Sequence, residues 1–280
     1  MGRFRKIYVS SSHRTSGTST NFRYELAQDQ ECGPECHVAI TSISLPNAFY
    51  SIQQGVNDKL YIYEKHSTLE SSSQNRIIVI TSGQYTSTAL NAAIQQGLNT
   101  NALGSAAYSC NYNAVTQKIS ISQVNSGGFT IFDDTTLKNL GRKDPITGGF
   151  YGTLPKISNP QSLQQVMNLP PATTPNVSFV SGVITLARVI DAYLRSPSLS
   201  NYTTLDANGR QDTLKRICID KEFGYVITTD ANIETSDLMN VSNQTLRSLD
   251  FLLTDSHGNQ LDLHGLDFSF CLNFVYGPIE

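Results

Sequence analysis

The segment before the end of the chain alternates strictly between apolar side chains and others. Between positions 266 and 276 the apolar set is Leu266, Phe268, Phe270, Leu272, Phe274 and Tyr276. Neighbouring side chains of a strand point to opposite faces, so a period of two held for eleven residues predicts a half-buried strand. We expect these six side chains to form the structural core of a last strand that closes a sheet.

Short β-prone segments separated by turns fill most of the remaining chain. The predicted strands are 6–10, 22–26, 36–45, 59–64, 76–81, 108–112, 118–122, 129–132, 177–189, 192–196, 214–220, 225–229 and 247–254. In 36–45 the apolar positions change phase between Ile40 and Ile43, which indicates a β-bulge. Strands broken by turns at this frequency predict a mainly β fold, an antiparallel sandwich or jelly roll.

One segment has a helical period instead. Leu90, Ile94 and Leu98 are spaced four residues apart, and Thr86 or Ser87 can cap the helix that they predict. A predicted hairpin at 108–122 follows it. The sequence therefore predicts an inserted α+β unit of strand, helix and hairpin at 76–145, and a discontinuous β domain formed by 1–75 and 146–280.

The stretch 144–176 is rich in proline. It contains six of the ten prolines, together with Gly148, Gly149 and Gly152. This composition is typical of an extended connection or of a loop. Two interpretations stay open, a strap that makes contacts and a plain surface loop.

Composition excludes several classes of function. The net charge is −3, so the chain lacks the excess of basic residues that is typical of nucleic-acid-binding proteins. We therefore predict no specific binding of nucleic acid. No segment is apolar over the length of a membrane span, and no apolar signal region follows Met1. Five cysteines, an odd number, fit reduced thiols in a protein made and kept inside a cell.

The sequence contains few candidates for a metal site. Cys32, Cys36 and His37 lie close together, but no second pair of ligands follows at zinc-finger spacing. A turn explains this cluster adequately, so we predict no metal and no cofactor.

Candidates for catalysis are equally few. Asp255 and Asp262, with His257 and His264, flank the last turns, where an aspartate more often caps an Asx turn than acts in hydrolysis. The adjacent carboxylates at 133 and 134 would face opposite sides of a strand, so they cannot act on one bond. We therefore predict no catalytic residue and no enzymatic activity.

Three stretches together resemble the penton, or minor capsid, protein of virophages and polinton-like viruses. The first is IYVSSSHRTSGTSTNFRYEL at 7–26. The second runs from GQYTSTALNAAIQQGLNT at 83–100 through YSCNYNAVTQKISIS to the NLG of 139–141. The third joins YLRSPSLSNYTT, LKRICID and RSLDFLLTDSHGNQLDLHGLDFSFCLNF between 193 and 274. The order of all three, more than any single one, makes the resemblance specific, and 144–176 is not part of it.

The resemblance implies a single jelly roll with an inserted unit, acting as a structural virion protein at the capsid vertex. The expected partners are four further copies in a homopentamer and neighbouring trimers of a double jelly-roll major capsid protein. A receptor-binding or carbohydrate-binding β module, such as a viral fibre head, is the alternative; it would assemble as a trimer. A jelly-roll hydrolase would need two convergent carboxylates in a cleft.

Overall fold

A computed structural model of the chain describes residues 3–65, 73–104, 106–124, 127–139, 157, 159–172, 174–199, 209, 211–230 and 238–277. The strands are β1 Arg3–Ser10, β2 Ser16–Gly17, β3 Asn21–Glu31, β4 Cys36–Pro46, β5 Lys59–Lys65, β6 Ser73–Val79, β7 Ala107–Asn113, β8 Lys118–Val124, β9 Phe129–Ile131, β10 Ser178–Val180, β11 Asp191–Arg195, β12 Thr213–Cys218, β13 Val226–Asp230, β14 Met239–Asn240, β15 Thr245–Thr254 and β16 Ser269–Tyr276. The α-helices are α1 Ser87–Asn99, α2 Asp134–Asn139 and α3 Gln164–Met167. Short 3-10 helices lie at Ser11–His13 and Pro197–Leu199.

The chain forms two compact units. The first combines residues 1–49 and 189–280, and the second is 50–188. The predicted boundaries at 75/76 and 145/146 differ from these. The difference arises because β5 pairs along its whole length with β6 and also with β9, which draws 59–65 into the second unit.

In its described residues, the first unit is an antiparallel jelly roll of eight strands with two short extra strands. Its front sheet has the order β1-β16-β4-β13, with β14 also paired to β4, and its back sheet has the order β12-β11-β15-β3-β2. Counted along the unit, the long strands pair first with eighth, second with seventh, third with sixth and fourth with fifth. This nested pairing defines a jelly roll, and the second unit is inserted between the third and the fourth strand.

The last strand contributes aromatic side chains to the core of the jelly roll. Phe268, Phe270, Leu272 and Phe274 are at most 3% exposed. Tyr276 is half-buried and packs against the same core. Leu266, in contrast, is 50% exposed, which corrects its expected place in the core. It lies in a turn, with its amide bonded to the carbonyl of Leu263, before the strand begins at Ser269.

The phase change in β4 is a bulge, as predicted. Cys271 of β16 pairs with Ser42, whereas its neighbour Leu272 pairs with Ile40. Thr41 is therefore the extra residue. The insertion lets Ile40 and Ile43 both face the core although they are three positions apart.

The second unit has its own core, and the part of it that the structure describes forms two three-stranded sheets, β6-β5-β9 and β10-β8-β7. Helix α1 begins as predicted, with the Thr86 hydroxyl accepting from the amide of Ala89 at 3.1 Å, and it buries Leu90, Ile94 and Leu98. The helix lies very close to β6 at Gly97, where a Cβ atom would come within 2.4 Å of the Ile78 side chain. None of the described helices has the length and hydropathy of a membrane-spanning segment.

The described part of the proline-rich stretch is packed rather than looped out. Residues 144–156, 158 and 173 of the stretch lie outside the described residues. In the rest of the stretch, Leu163, Val166 and Met167 are at most 1% exposed and belong to the core of the second unit. Asn176 also forms a β-bridge with Phe129, so the described part makes contacts, as the strap interpretation expects, and is not a plain surface loop. The apolar side chains around α3 account for the burial of this segment. In the segment that follows, the predicted strand 177–189 is reduced to β10, Ser178–Val180.

We predict that the jelly roll folds without the second unit. Replacing 50–188 with a short Gly/Ser linker should leave a cooperatively unfolding β protein, because its core comes from its own residues. The linker can be short, since the Arg188 Nε donates to the carbonyl of Tyr50 at 3.2 Å. Circular dichroism and limited proteolysis measure the outcome.

A second deletion provides the contrast. Replacing only 84–142 removes α1 and the hairpin but keeps Ile52, Leu60 and Ile62, whose apolar surface would then be uncovered. We expect this shorter deletion to aggregate. A well-folded product would show that the core of the second unit does not depend on α1.

Candidate assembly surfaces

The front sheet of the jelly roll ends in two strands with a free edge. Within the described residues, β1 pairs only with β16 and β13 pairs only with β4. Such strands present unpaired backbone N–H and C=O groups, which can receive a further strand. These two edges are the main candidate surfaces for assembly.

The β1 edge combines exposed aromatic and basic side chains. Phe4 is 60% exposed and Tyr8 is 72% exposed, while Val9, on the opposite face of the strand, is buried. Arg5 and Lys6 are exposed between the two aromatic residues. Exposed aromatic and basic side chains on one edge are typical of surfaces that bind another protein.

The β13 edge has exposed aromatic and acidic side chains. Tyr225 is 63% and Val226 is 50% exposed, and Asp230 ends the strand on the same edge. The preceding turn is held in place by Asn47, whose amide donates to the carbonyl of Tyr225 at 2.8 Å and whose side chain donates to that of Lys221 at 2.7 Å. The exposed residues are therefore presented on an ordered backbone.

The cysteine cluster is buried, and burial favours the protonated form of its thiols. Cys32 and Cys36 are free thiols with exposures of 4% and 0%. Burial raises the pKa of Cys32 to about 12, with a further contribution from its contact with Cys36, and burial also raises the pKa of Cys36. Both therefore remain protonated thiols at neutral pH, whereas metal ligands and nucleophiles are thiolates. In the described ranges no three His, Cys, Asp or Glu side chains are grouped to hold a metal.

The acidic and histidine residues of the last turns form separate local contacts. The Asp255 carboxylate accepts from the amides of His257 and Asn259 at 2.8 and 2.9 Å. Asp262 accepts from the amide of His264 at 2.8 Å. Both aspartates thus cap their own Asx turns.

The adjacent carboxylates at 133 and 134 also have structural partners. Asp133 accepts from the amides of Thr135 and Thr136 at 3.1 and 3.3 Å, which caps α2, while Asp134 accepts from the Ser162 hydroxyl. The Asp133 carboxylate additionally accepts from the amide of Ala172 at 3.0 Å. The pair therefore links α2 to the segment around α3 and does not converge on one point.

Two buried ionic groups were not apparent from the sequence. In the second unit, the fully buried carboxylate of Glu64 accepts from Arg76 Nε at 2.8 Å and from Arg76 Nη2 at 2.5 Å, and also from the Tyr108 hydroxyl. In the jelly roll, Arg195 is 1% exposed and donates to Thr254 and Asp212 at 2.8 and 2.9 Å. Arg195 joins neighbouring strands of one sheet, whereas Glu64 also contacts Tyr108 of the other sheet in its unit, so both groups have structural partners.

The raised thiol pKa values predict a loss of stability in alkali. Unfolded cysteines titrate near 9.0, whereas burial raises the pKa of Cys32 and of Cys110 to about 12 in the folded chain. Above pH 9 the unfolded chain releases these protons first, so stability is complete below that pH and declines up to about pH 12. Unfolding by urea across this window measures the decline.

Substitution of the buried thiols isolates their contribution. Between about pH 9 and pH 12 the free energy of unfolding falls with pH. Each of Cys32→Ala and Cys110→Ala should make this slope shallower by up to about 1.4 kcal/mol per pH unit. Cys218→Ala is the control, because this cysteine is exposed. An equal slope in all three variants would contradict the attribution to buried thiols.

The nested strand pairing and the inserted unit assign the fold of this chain to one class, a single jelly roll with an insertion between its third and fourth strands. The fold is similar to that of the selenomethionine-labelled penton protein of the virophage mavirus, with a TM-score of 0.50. The likeness covers 97% of this chain and 99% of the mavirus chain at 10% sequence identity. No protein-family profile matches the sequence, and no curated protein matches it.

The exposed aromatic residues of the two edges are the functional candidates that sequence reasoning missed. The sequence of β1 contains a signal for these exposed residues. Phe4 and Tyr8 alternate with Ile7 and Val9, which face the core, so the two aromatic side chains lie on the outer face of the strand. Aromatic side chains in the solvent-facing phase of a strand indicate a covered or binding surface.

Proposed function

We propose that this chain is a structural virion protein, the penton or minor capsid subunit that forms pentamers at the fivefold vertices of an icosahedral capsid. The observation that carries the proposal is the end-to-end similarity of fold to the mavirus penton protein, which includes the jelly roll and the inserted unit alike. A match confined to the jelly roll would fit many unrelated β proteins.

The distribution of side chains supports a role in assembly rather than in catalysis. The carboxylates singled out from the sequence, among them Asp133 and Asp255, are engaged in caps and turns. The exposed aromatic residues lie instead at free strand edges, where another protein can bind. The proposal therefore assigns no enzymatic activity and no cofactor to this chain.

The proposed partners are other capsid proteins. Copies of this chain form the ring, and its rim contacts trimers of a double jelly-roll major capsid protein. The proposal requires neither a membrane anchor nor specific nucleic-acid binding. The subunit is made inside the host cell and resides in the virion.

One observation favours the fibre-head alternative. Exposed aromatic side chains such as Tyr8 and Tyr225 can also stack on sugars or contact a receptor. Such a module would assemble as a trimer, so oligomeric state separates the two functions.

Native mass spectrometry of the purified chain tests the proposal. We expect a closed pentamer of five times 30.7 kDa, about 154 kDa. A stable trimer of three times 30.7 kDa, about 92 kDa, would contradict it and support the fibre head.

A further inference from the structure

We propose that neighbouring subunits join through the edges of the front sheet, with β1 of one copy adding to β13 of the next. The inference rests on the proposed function, and it names the surfaces that form the ring. The occupant of each free edge is thus a second copy of this chain.

The directions of the strands permit this contact. Each of the pairs β1–β16, β16–β4 and β4–β13 is antiparallel, so β1 and β13 run in opposite directions at the two ends of the sheet. A copy in the same orientation therefore presents its β1 antiparallel to β13 of its neighbour. A contact between two different surfaces is head-to-tail, and it generates a ring when the rotation closes.

The charges of the two edges are complementary. The sequence of β1, RFRKIYVS, has three basic residues and no acidic one, whereas VITTD of β13 has one acidic residue and no basic one. Among the residues that the structure describes, no ion pair engages Arg5, Lys6 or Asp230. A β1 edge attracts a β13 edge, while two β1 edges repel each other. This difference favours the ring over a twofold dimer through β1.

The side chains suggest a register. Lys6, Tyr8 and Ser10 lie on the outer face of β1, since Val9 between them is in the core. On β13, Val226, Thr228 and Asp230 form the outer face, since Ile227 is in the core. Antiparallel pairing of Lys6 with Asp230 places Tyr8 opposite Thr228 and Ser10 opposite Val226. An opposite-charge pair and an aromatic–β-branched pair, both favourable across antiparallel strands, then lie along one strand pair.

A charge exchange tests the contact. Lys6→Glu or Asp230→Lys alone should raise the subunit concentration needed for half-assembly by about tenfold or more, because like charges then face each other. The double variant should restore assembly, since the pair is reversed rather than removed. Lys118→Glu, the same change on β8 in the second unit, is the control and should assemble like the wild type. Circular dichroism checks that every variant is folded.

Cysteine cross-linking tests the register even where the ring is weak. Tyr8→Cys combined with Thr228→Cys, in a Cys218→Ser background that removes the exposed thiol, should give a covalent ladder up to five subunits under mild oxidation. Opposed Cβ atoms of an antiparallel pair lie about 4.5–5.5 Å apart, close to the separation in disulfides. Either single-cysteine variant should give no ladder.

The outcomes separate this inference from the proposed function. A native pentamer that neither responds to the charge changes nor cross-links would overturn the edge contact and leave the vertex role intact. Cross-linking that stops at dimers would overturn the head-to-tail arrangement. Monomers at every concentration, without cross-links, would count against both.

Discussion

Phe270→Asp is expected to abolish soluble, folded protein. Phe270 is 3% exposed in the centre of the jelly-roll core, and its ring lies 4.9 Å from that of Phe251 and 5.8 Å from that of Phe268. Truncation of such a residue costs about 3–5 kcal/mol, and an unpaired buried carboxylate costs more. A whole domain is stable by only about 5–15 kcal/mol. Soluble yield and circular dichroism measure the effect.

Ser269→Asp is the matched control, one position away. Its side chain lies on the other face of β16, between Ser10 and Ser44 of the neighbouring strands, and it is only half-buried. We expect this variant to fold. If both variants were equally soluble, the orientation of β16 described above would be wrong.

Arg76→Leu is expected to destabilise the second unit by about 3–5 kcal/mol. The substitution leaves the Glu64 carboxylate, which is 0% exposed, without its ion pair. It also removes donors to the carbonyls of Leu98 and Thr100, which attach β6 to the end of α1. Hydrogen exchange should therefore accelerate in β5, β7 and β8, while β3 and β15 of the jelly roll stay protected.

Arg247→Leu provides the comparison for that change. Arg247 forms an ion pair with Asp29 at 3.3 Å, but both side chains are more than half exposed. Water and salt screen such pairs, so we expect a change within about 1 kcal/mol. Equal losses in the two variants would show that burial does not set the strength of the Glu64 contact.

Local patterns predicted the elements that depend on local residues. The helix α1 with its Thr86 cap, the hairpin of β7 and β8 and the bulge at Thr41 are each encoded by residue spacing within one continuous segment of the chain. In each case the period of apolar side chains matches the geometry that the chain adopts.

The boundaries of the units depend on pairing that no local pattern encodes. β5 and β6 alternate in the same manner as jelly-roll strands, and their sequence does not indicate which sheet they join. The alternation at the chain end also begins in a turn, so the sequence pattern predicts a core position for Leu266 although this residue is 50% exposed.

The candidate surfaces were harder to predict for a similar reason. Whether Tyr8 or Tyr225 is exposed depends on which strands lie beside it, and β1 pairs with a strand more than 250 residues away. Similarly, the buried Arg195 donates to Thr254, a partner that lies 59 positions further along the chain. Sequence spacing carries no signal for such contacts.

Immunogold labelling of purified virus particles tests the central claim most directly. An antibody against the jelly roll should place gold at the fivefold vertices of the capsid, and three-dimensional reconstruction should show five copies of this fold around each vertex. Label at the tips of fibres, label spread over the faces of the shell, or particles that lack the protein would contradict the assignment as a vertex subunit.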